Sequence, residues 1–135
     1  MKKEIGIIGL GSMGTAIALN LRKRYKIFGY DVNKNNRLKS NKNFLFINNL
    51  KEIFLKTDTF IIIVLNENQC EKILNTFIKF KKNTKINKKY TVINCTTVSP
   101  NWIEKIYKKL RKNNFEYIDC PVSGGPKKAI KGKLS

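Results

Sequence analysis

Residues 4–14 read EIGIIGLGSMG, an apolar run that leads into three glycines with the spacing G-x-G-x-x-G. The run from Glu4 to Ile8 predicts a buried strand, and residues 12–24, with apolar side chains at helical spacing, predict a helix. Gly9 permits a tight turn after the strand, and Gly14 allows the helix to pack closely against it. These residues therefore predict a strand–turn–helix unit of an α/β fold.

The same alternation of short apolar runs and longer amphipathic segments continues to residue 121. Further strands are predicted at residues 26–30, 44–47, 59–65, 90–94 and 115–120. Helices are predicted at residues 34–40, 50–56, 67–80 and 100–113. Beyond residue 121 a Pro/Ser/Gly segment and a Lys-rich tail predict no further element. Apolar strands that alternate with helices indicate a parallel sheet covered on both faces, a doubly wound α/β fold in one domain over residues 1–135.

The composition excludes several classes of chemistry. Among 135 residues there is no histidine, which excludes a Ser-His-Asp triad and a histidine-ligated metal within this chain. The three cysteines, Cys70, Cys95 and Cys120, form no C-x-x-C pair, so we expect neither a disulfide framework nor a metal site. Reduced thiols favour a cytoplasmic location. The longest apolar run, Phe60 to Leu65, is too short to cross a membrane.

The formal net charge is +19, because 28 Lys and Arg residues face 9 Asp and Glu residues. The basic residues are mostly lysines, and they are scattered apart from one dense stretch between Lys79 and Lys89. Scattered lysines are typical of solvated helix faces and loops. We therefore expect no specific nucleic-acid partner and no membrane partner.

The glycine motif also predicts a ligand. Gly11 lets a pyrophosphate approach the backbone, and the helix N-terminus offers unpaired N–H groups to the phosphates. An acidic residue is expected to end the second strand about 20 residues later. Asp31 does so, 31 − 9 = 22 residues after Gly9. Its carboxylate is expected to accept hydrogen bonds from the ribose hydroxyls. It is also expected to repel a 2′-phosphate, which favours NAD over NADP. Lys34 and Arg37 lie nearby and leave the strictness of that preference open.

Two more segments follow predicted strands, where ligands bind in open α/β sheets. Residues 94–100 read NCTTVSP, and a threonine there is placed to hydrogen-bond a ligand. Ser99 is a plausible N-cap for the next helix. Ser123, Gly124 and Gly125 follow the last strand, and consecutive glycine amides with a hydroxyl suit a carboxylate. As a bare pattern, such a cluster is equally typical of an ordinary loop.

Three segments together resemble the β-hydroxyacid dehydrogenase family, which includes 3-hydroxyisobutyrate dehydrogenase. IGIIGLGSMGTAIALNL (residues 5–21) is similar to the family's cofactor motif. VINCTTVSP (residues 92–100) is similar to its strand and D-x-S-T-x-x-P element, and YIDCPVSGGP (residues 117–126) to its D-A-P-V-S-G-G substrate motif. The resemblance covers essentially the whole chain, and it implies a Rossmann-type dinucleotide-binding domain with a substrate loop at residues 119–126.

The resemblance also implies roles for individual residues. Leu65 and Asn66 match the family's Leu-Pro pair beside the adenosine half, and Thr97 matches the threonine near the nicotinamide. Ser123, Gly124 and Gly125 match the residues that hold the substrate carboxylate. The cofactor loop comprises Gly9, Leu10, Gly11, Ser12, Met13 and Gly14, with Asp31 at the ribose. The implied activity is NAD-dependent oxidation of a small β-hydroxy acid, and the implied assembly of the full-length form is a homo-oligomer.

Some residues depart from the family pattern, and these departures limit what the resemblance implies about activity. Asn66 stands in place of the usual proline, and Asn94 in place of the usual aspartate. The family's catalytic lysine lies in a G-x-x-x-K-x-x-N element of a C-terminal all-helical domain, and no residue of this chain matches it. We therefore expect this chain to be the cofactor-binding half, with no catalytic residue, no metal site and no turnover by itself.

Two alternatives remain open at this point. One is a non-catalytic dinucleotide-binding module. The other is a fragment of an NADP enzyme similar to 6-phosphogluconate dehydrogenase, which typically carries Asn-Arg after the second strand. Asp31 and Val32 at that place argue against the second alternative.

Overall fold

The sheet of the computed structural model, which describes residues 1–135, contains six parallel strands. Their spatial order is β3-β2-β1-β4-β5-β6, which confirms the doubly wound α/β prediction. The order reverses between β1 and β4, so a crevice opens at the carboxyl ends of these two strands. The strands are β1 (Glu4–Ile8), β2 (Lys26–Tyr30), β3 (Phe44–Phe46), β4 (Thr59–Ile62), β5 (Tyr90–Asn94) and β6 (Phe115–Asp119).

Helices cover both faces of this sheet. They are α1 (Ser12–Leu21), α2 (Leu50–Lys56), α3 (Glu67–Thr84), α4 (Pro100–Lys112) and α5 (Gly125–Ile130). On one face α2, α3 and α4 bury an aromatic core that includes Phe54, Phe60 and Phe77. On the other face α1 and α5 pack small residues, Ala16, Ala18 and Ala129 among them, against the isoleucines of the strands. None of these helices combines the length and the apolar character that a membrane span requires.

The strand predicted at residues 59–65 ends earlier, at Ile62, and tertiary contacts explain why. The amide of Val64 donates to the Thr96 hydroxyl at 2.9 Å, and the amide of Leu65 donates to Oε1 of Gln69 at 2.9 Å. Side chains from two other segments thus replace the ladder partners that a longer strand needs. The chain consequently turns away from the sheet at the place where the candidate site begins.

Other predicted boundaries differ more modestly. The helix predicted at residues 34–40 is only a 3₁₀ turn over Lys34–Asn36, and α1 ends at Leu21 rather than at residue 24. Helix α3 continues past residue 80 to Thr84, where Lys85 adopts a left-handed conformation (φ 53°). The prediction that no element follows residue 121 was wrong, because α5 forms there. This helix packs on α1, and Nδ2 of Asn20 donates to the Ile130 carbonyl at 2.8 Å.

One buried hydroxyl in the aromatic core has no partner. Tyr90 is fully buried, and its Oη makes no hydrogen bond. We expect Tyr90→Phe to leave the free energy of unfolding unchanged or to raise it by up to about 1 kcal/mol, since no hydrogen bond is lost. Tyr117→Phe is the matched control: Nδ2 of the buried Asn94 donates to its Oη at 3.0 Å, so this variant should lose about 1 kcal/mol. Urea unfolding measures both, and equal losses would contradict the assignment.

Candidate functional site

A cavity of about 660 Å³ lies at the carboxyl ends of β1, β2 and β4. It lies at the point where the strand order reverses, as expected for a ligand site in a doubly wound sheet. It is lined by seven of the residues predicted to bind the cofactor: Gly9, Gly11, Ser12, Met13, Gly14, Asp31 and Leu65. The structure therefore brings together residues that lie up to 56 positions apart in the chain (65 − 9 = 56).

Helix α1 points its N-terminus at this cavity without a capping side chain. Its N-cap is Gly11, and no side chain accepts a hydrogen bond from the N–H groups of its first turn. By contrast, Asn49, Asn66 and Ser99 cap α2, α3 and α4 with side-chain oxygens. The uncapped N–H groups of α1, together with the positive end of the helix dipole, make this wall of the cavity suited to an anion.

The three motif glycines differ in what surrounds the position of their missing Cβ atom. A Cβ on Gly9, which has φ 104°, would lie 1.9 Å from the carbonyl oxygen of Ile63. A Cβ on Gly14 would lie 1.9 Å from the Gly9 carbonyl oxygen. Gly11 has ordinary dihedral angles and no atom within 4 Å of its missing Cβ. Two glycines are thus required by the fold, whereas the third leaves open space beside the cavity.

Asp31 is only 9% exposed, and its carboxylate binds the glycine loop to the end of β2. Its Oδ2 accepts a hydrogen bond from the Leu10 amide at 2.7 Å, and its Oδ1 accepts one from the Asn33 amide at 2.7 Å. Nδ2 of Asn36 adds a longer bond of 3.2 Å to Oδ2. A carboxylate has about four acceptor positions, so one remains for a ligand hydroxyl. Leu10 itself contributes this amide, while its side chain is buried in the core and does not line the cavity.

The rest of the cavity comes from residues that the sequence analysis missed. Val32, at 81% exposure, presents an apolar side chain to it. Helix α3 contributes three polar residues, Gln69, Lys72 and Thr76. Their spacing of three, then four, residues puts them on one helix face, a signal that becomes readable only once the position of α3 is known. Lys72 is the only basic residue lining the cavity.

Lys34 and Arg37, which left the cofactor preference open, are directed elsewhere. Nζ of Lys34 donates to the Asn48 carbonyl at 3.0 Å and lies over the rings of Tyr30 and Phe46. The Arg37 guanidinium lies 5.2 Å from the centre of the Phe46 ring. Neither residue lines the cavity.

A second, open groove of about 550 Å³ adjoins this cavity at Leu65. It contains Asn66 and the exposed Thr97, between the N-termini of α3 and α4. The side chain of Asn66 caps α3 by accepting the Gln69 amide at 3.0 Å. The Glu67 carboxylate accepts the Ser99 amide across the groove, and hydrogen bonds from Ser99 hold the pKa of Glu67 below its usual value. The groove thus continues the cavity towards the ends of β4 and β5.

Ser123, Gly124 and Gly125 line neither the cavity nor the groove. Gly124 and Gly125 have φ values of 116° and 76°, and they begin α5. Ser123 pairs with Ser135: each amide donates to the other residue's carbonyl, at 2.7 and 3.2 Å, and the two hydroxyls lie 3.1 Å apart. The predicted carboxylate-binding loop therefore stands apart from the cofactor residues, beyond the end of β6.

A family model described as the NAD binding domain of 6-phosphogluconate dehydrogenase matches residues 4–135. The chain is also 29% identical over 126 residues to the mitochondrial 3-hydroxyisobutyrate dehydrogenase of Drosophila melanogaster. This match covers 91% of the chain and 37% of that protein. It is 29% identical over 135 residues to the L-threonate dehydrogenase of Escherichia coli K12. This match covers 98% of the chain and 44% of that protein. The chain therefore spans less than half the length of these curated relatives.

The fold of this chain also matches the folds of solved structures. The 3-hydroxyisobutyrate dehydrogenase of Mycobacterium tuberculosis, solved with L-serine, superposes with a TM-score of 0.86 at 19% identity. This match covers 99% of the chain and 45% of that structure. At this identity the likeness shows the fold alone. The sequence matches confirm the resemblance to hydroxyacid dehydrogenases that the three motifs indicated.

Proposed function

Because this chain belongs to the family of the NAD binding domain of 6-phosphogluconate dehydrogenase, we propose that residues 1–135 form the dinucleotide-binding domain of an NAD-dependent dehydrogenase of small β-hydroxy acids. The observation that carries the proposal is the cavity at the strand-order reversal, where an uncapped helix N-terminus and a carboxylate face the same space. When bound, the nicotinamide cofactor accepts a hydride from the hydroxy acid. Every residue role below is part of this proposal.

Residues 9–14 hold the pyrophosphate in this proposal. The first-turn N–H groups of α1 at Ser12, Met13 and Gly14 donate to the phosphate oxygens, and the helix dipole adds a favourable charge interaction. The open space beside Gly11 supports this role, because a backbone that must approach a phosphate closely has no room for a Cβ. Leu10 contributes indirectly, since its amide fixes the Asp31 carboxylate.

Asp31 holds the adenosine ribose and selects NAD over NADP. One acceptor position of its carboxylate is free for a ribose hydroxyl, and the long bond from Asn36 is the contact that a second hydroxyl would replace most easily. A 2′-phosphate would instead meet a buried negative charge. The outward placement of Lys34 and Arg37 supports the preference, because neither cation lines the cavity to offset that repulsion.

The remaining residues extend the site towards the reacting end. The apolar side chain of Leu65 flanks the adenosine half, and Asn66 shapes this segment as the cap of α3. The exposed Thr97 lies in the adjoining groove, where its hydroxyl can orient the nicotinamide. Ser123, Gly124 and Gly125 hold the substrate carboxylate. No group in this chain is assigned to proton transfer at the substrate oxygen.

Calorimetric titration of the chain with NAD⁺ and NADP⁺ tests the proposal. One charge-assisted hydrogen bond contributes roughly 1.5–3 kcal/mol, so NAD⁺ is expected to bind about tenfold more tightly or better. Equal affinities would overturn the role of Asp31 in cofactor choice. Absence of binding by either dinucleotide, while circular dichroism shows a folded chain, would overturn the proposed function itself.

A further inference from the structure

Cys95 and Cys120 are neighbours across two strands of the sheet. Strands β5 and β6 pair in parallel, with Asn94 opposite Asp119 at the end of the register. Each cysteine is the next residue along its strand, and the Cys120 amide continues the ladder by donating to the Asn94 carbonyl at 2.8 Å. The two cysteines therefore occupy matched positions at the carboxyl edge of the sheet.

Their side chains lie on the same face of the sheet. Side chains alternate along a strand, and Tyr90, Val92 and Tyr117 belong to the aromatic core on the other face. Cys95 instead packs with Ile93 and Ala129 on the α1/α5 face, and Cys120 has the same parity in β6 as Ile118, the partner of Ile93. The third cysteine, Cys70, is on the aromatic face, with its Sγ 3.6 Å from Oδ1 of Asn94.

The geometry of this pair suits a covalent bond. Neighbouring strands lie about 4.7–4.9 Å apart, and a disulfide needs a Cα separation of about 4.4–6.8 Å. The spacing of neighbouring strands therefore falls within the Cα range that a disulfide requires. By contrast, the sheet itself separates Cys70 from both thiols.

The two thiols differ in accessibility. Cys120 is exposed, whereas Cys95 is buried. Burial raises the pKa of Cys95 to about 12, and the neighbouring Cys120 thiol and Asp119 carboxylate add to this effect. The thiolate is the attacking species in disulfide exchange, so the exposed Cys120 reacts first with a reagent from solution.

We propose that Cys95 and Cys120 form a thiol pair that a low-molecular-weight disulfide converts into an intramolecular disulfide. The Cys120 thiolate attacks one sulfur of the reagent, forms a mixed disulfide and releases one reagent thiolate. The Cys95 sulfur then loses its proton to solvent and displaces the second reagent thiolate from Cys120. Two protein thiols are oxidised by two electrons, and one reagent disulfide is reduced to two thiols. The inference is independent of the proposed function, since it requires only the pairing of β5 with β6.

Oxidised glutathione is the probe for the test. The folded, reduced chain is incubated with it at mildly alkaline pH, remaining thiols are blocked with N-ethylmaleimide, and the protein is digested with trypsin. The three cysteines fall in separate tryptic peptides, residues 57–72, 90–105 and 113–127, so mass spectrometry distinguishes all three possible pairings. The Cys95–Cys120 linkage is expected to exceed each other pairing by roughly tenfold or more.

Three variants control the result. Cys70→Ala should form the same linkage, because Cys70 lies on the other face. Cys95→Ala should instead accumulate glutathione on Cys120, and Cys120→Ser should leave Cys95 unmodified while the chain is folded. A wild-type chain that stops at the mixed disulfide on Cys120, with Cys95 still free, would overturn the proposal. Comparable amounts of the three pairings from the folded chain would overturn it as well.

Discussion

Gly11→Ala is expected to lose most of its affinity for the dinucleotide while it keeps the stability of the wild-type chain. Its backbone angles, φ −64° and ψ −170°, are accessible to alanine, and no atom lies within 4 Å of the added Cβ. An alanine at an N-cap changes stability only slightly relative to glycine. The methyl group, however, fills the space through which a phosphate reaches the backbone. We expect a loss of about 3 kcal/mol in binding, on the order of a hundredfold in Kd, from displaced charge-assisted hydrogen bonds.

Gly14→Ala is the matched control, three residues away on the same loop. Its Cβ would lie 1.9 Å from the Gly9 carbonyl oxygen, so the contact between α1 and the loop must open. We expect a loss of roughly 3 kcal/mol or more in the free energy of unfolding. Urea unfolding and calorimetric titration of both variants separate the two roles. If Gly11→Ala binds NAD⁺ as the wild type does, or unfolds as readily as Gly14→Ala, the distinction between the glycines is wrong.

Asp31→Ala is expected to affect stability and cofactor choice together. The variant leaves the Leu10 and Asn33 amides without the oxygens that they contact at 2.7 Å, at a largely buried position. An unsatisfied buried donor costs about 1–3 kcal/mol, so we expect a loss of about 2 kcal/mol in the free energy of unfolding. Removal of the negative charge should also bring the affinities for NAD⁺ and NADP⁺ to within roughly threefold of each other.

Asn36→Ala separates the two effects. It removes the 3.2 Å contact to Asp31 but keeps the carboxylate and both amide bonds. We therefore expect this variant to retain the preference for NAD⁺ and to lose no more than about 1 kcal/mol of stability. An Asp31→Ala chain with unchanged discrimination between the cofactors would refute the role of the carboxylate. An unchanged unfolding midpoint would refute its structural role.

The parts of the site that lie close together in sequence were predictable without the structure. The glycine spacing after β1 predicted the turn and α1, and Asp31 lay at the expected distance for the end of β2. Ser99 before Pro100 predicted the start of α4, and Ser99 does cap that helix. The turn and the helix starts depend on backbone conformation or on hydrogen bonds within one turn, and the place of Asp31 follows from the length of the strand–helix–strand unit. The residue types alone therefore carried the information.

Elements without a local pattern were missed. Helix α5 contains only six residues and begins with Gly-Pro, so its sequence reads as a loop. It is stabilised by its contact with α1, which includes the bond from Asn20 to Ile130. Short helices depend on such tertiary packing because nucleation is unfavourable.

By itself, the sequence determined the alternation of strands and helices, the glycine turn before α1 and the acidic residue at the end of β2, because these follow from local propensity and spacing. The tertiary structure decided where β4 ends, since the Thr96 hydroxyl accepts the hydrogen bond from the Val64 amide outside the sheet. It also decided that the polar face of α3 completes the cavity and that Cys95 lies beside Cys120. Strand order and register bring such residues together, and both arise from the burial of apolar faces across the whole domain, which no single segment encodes.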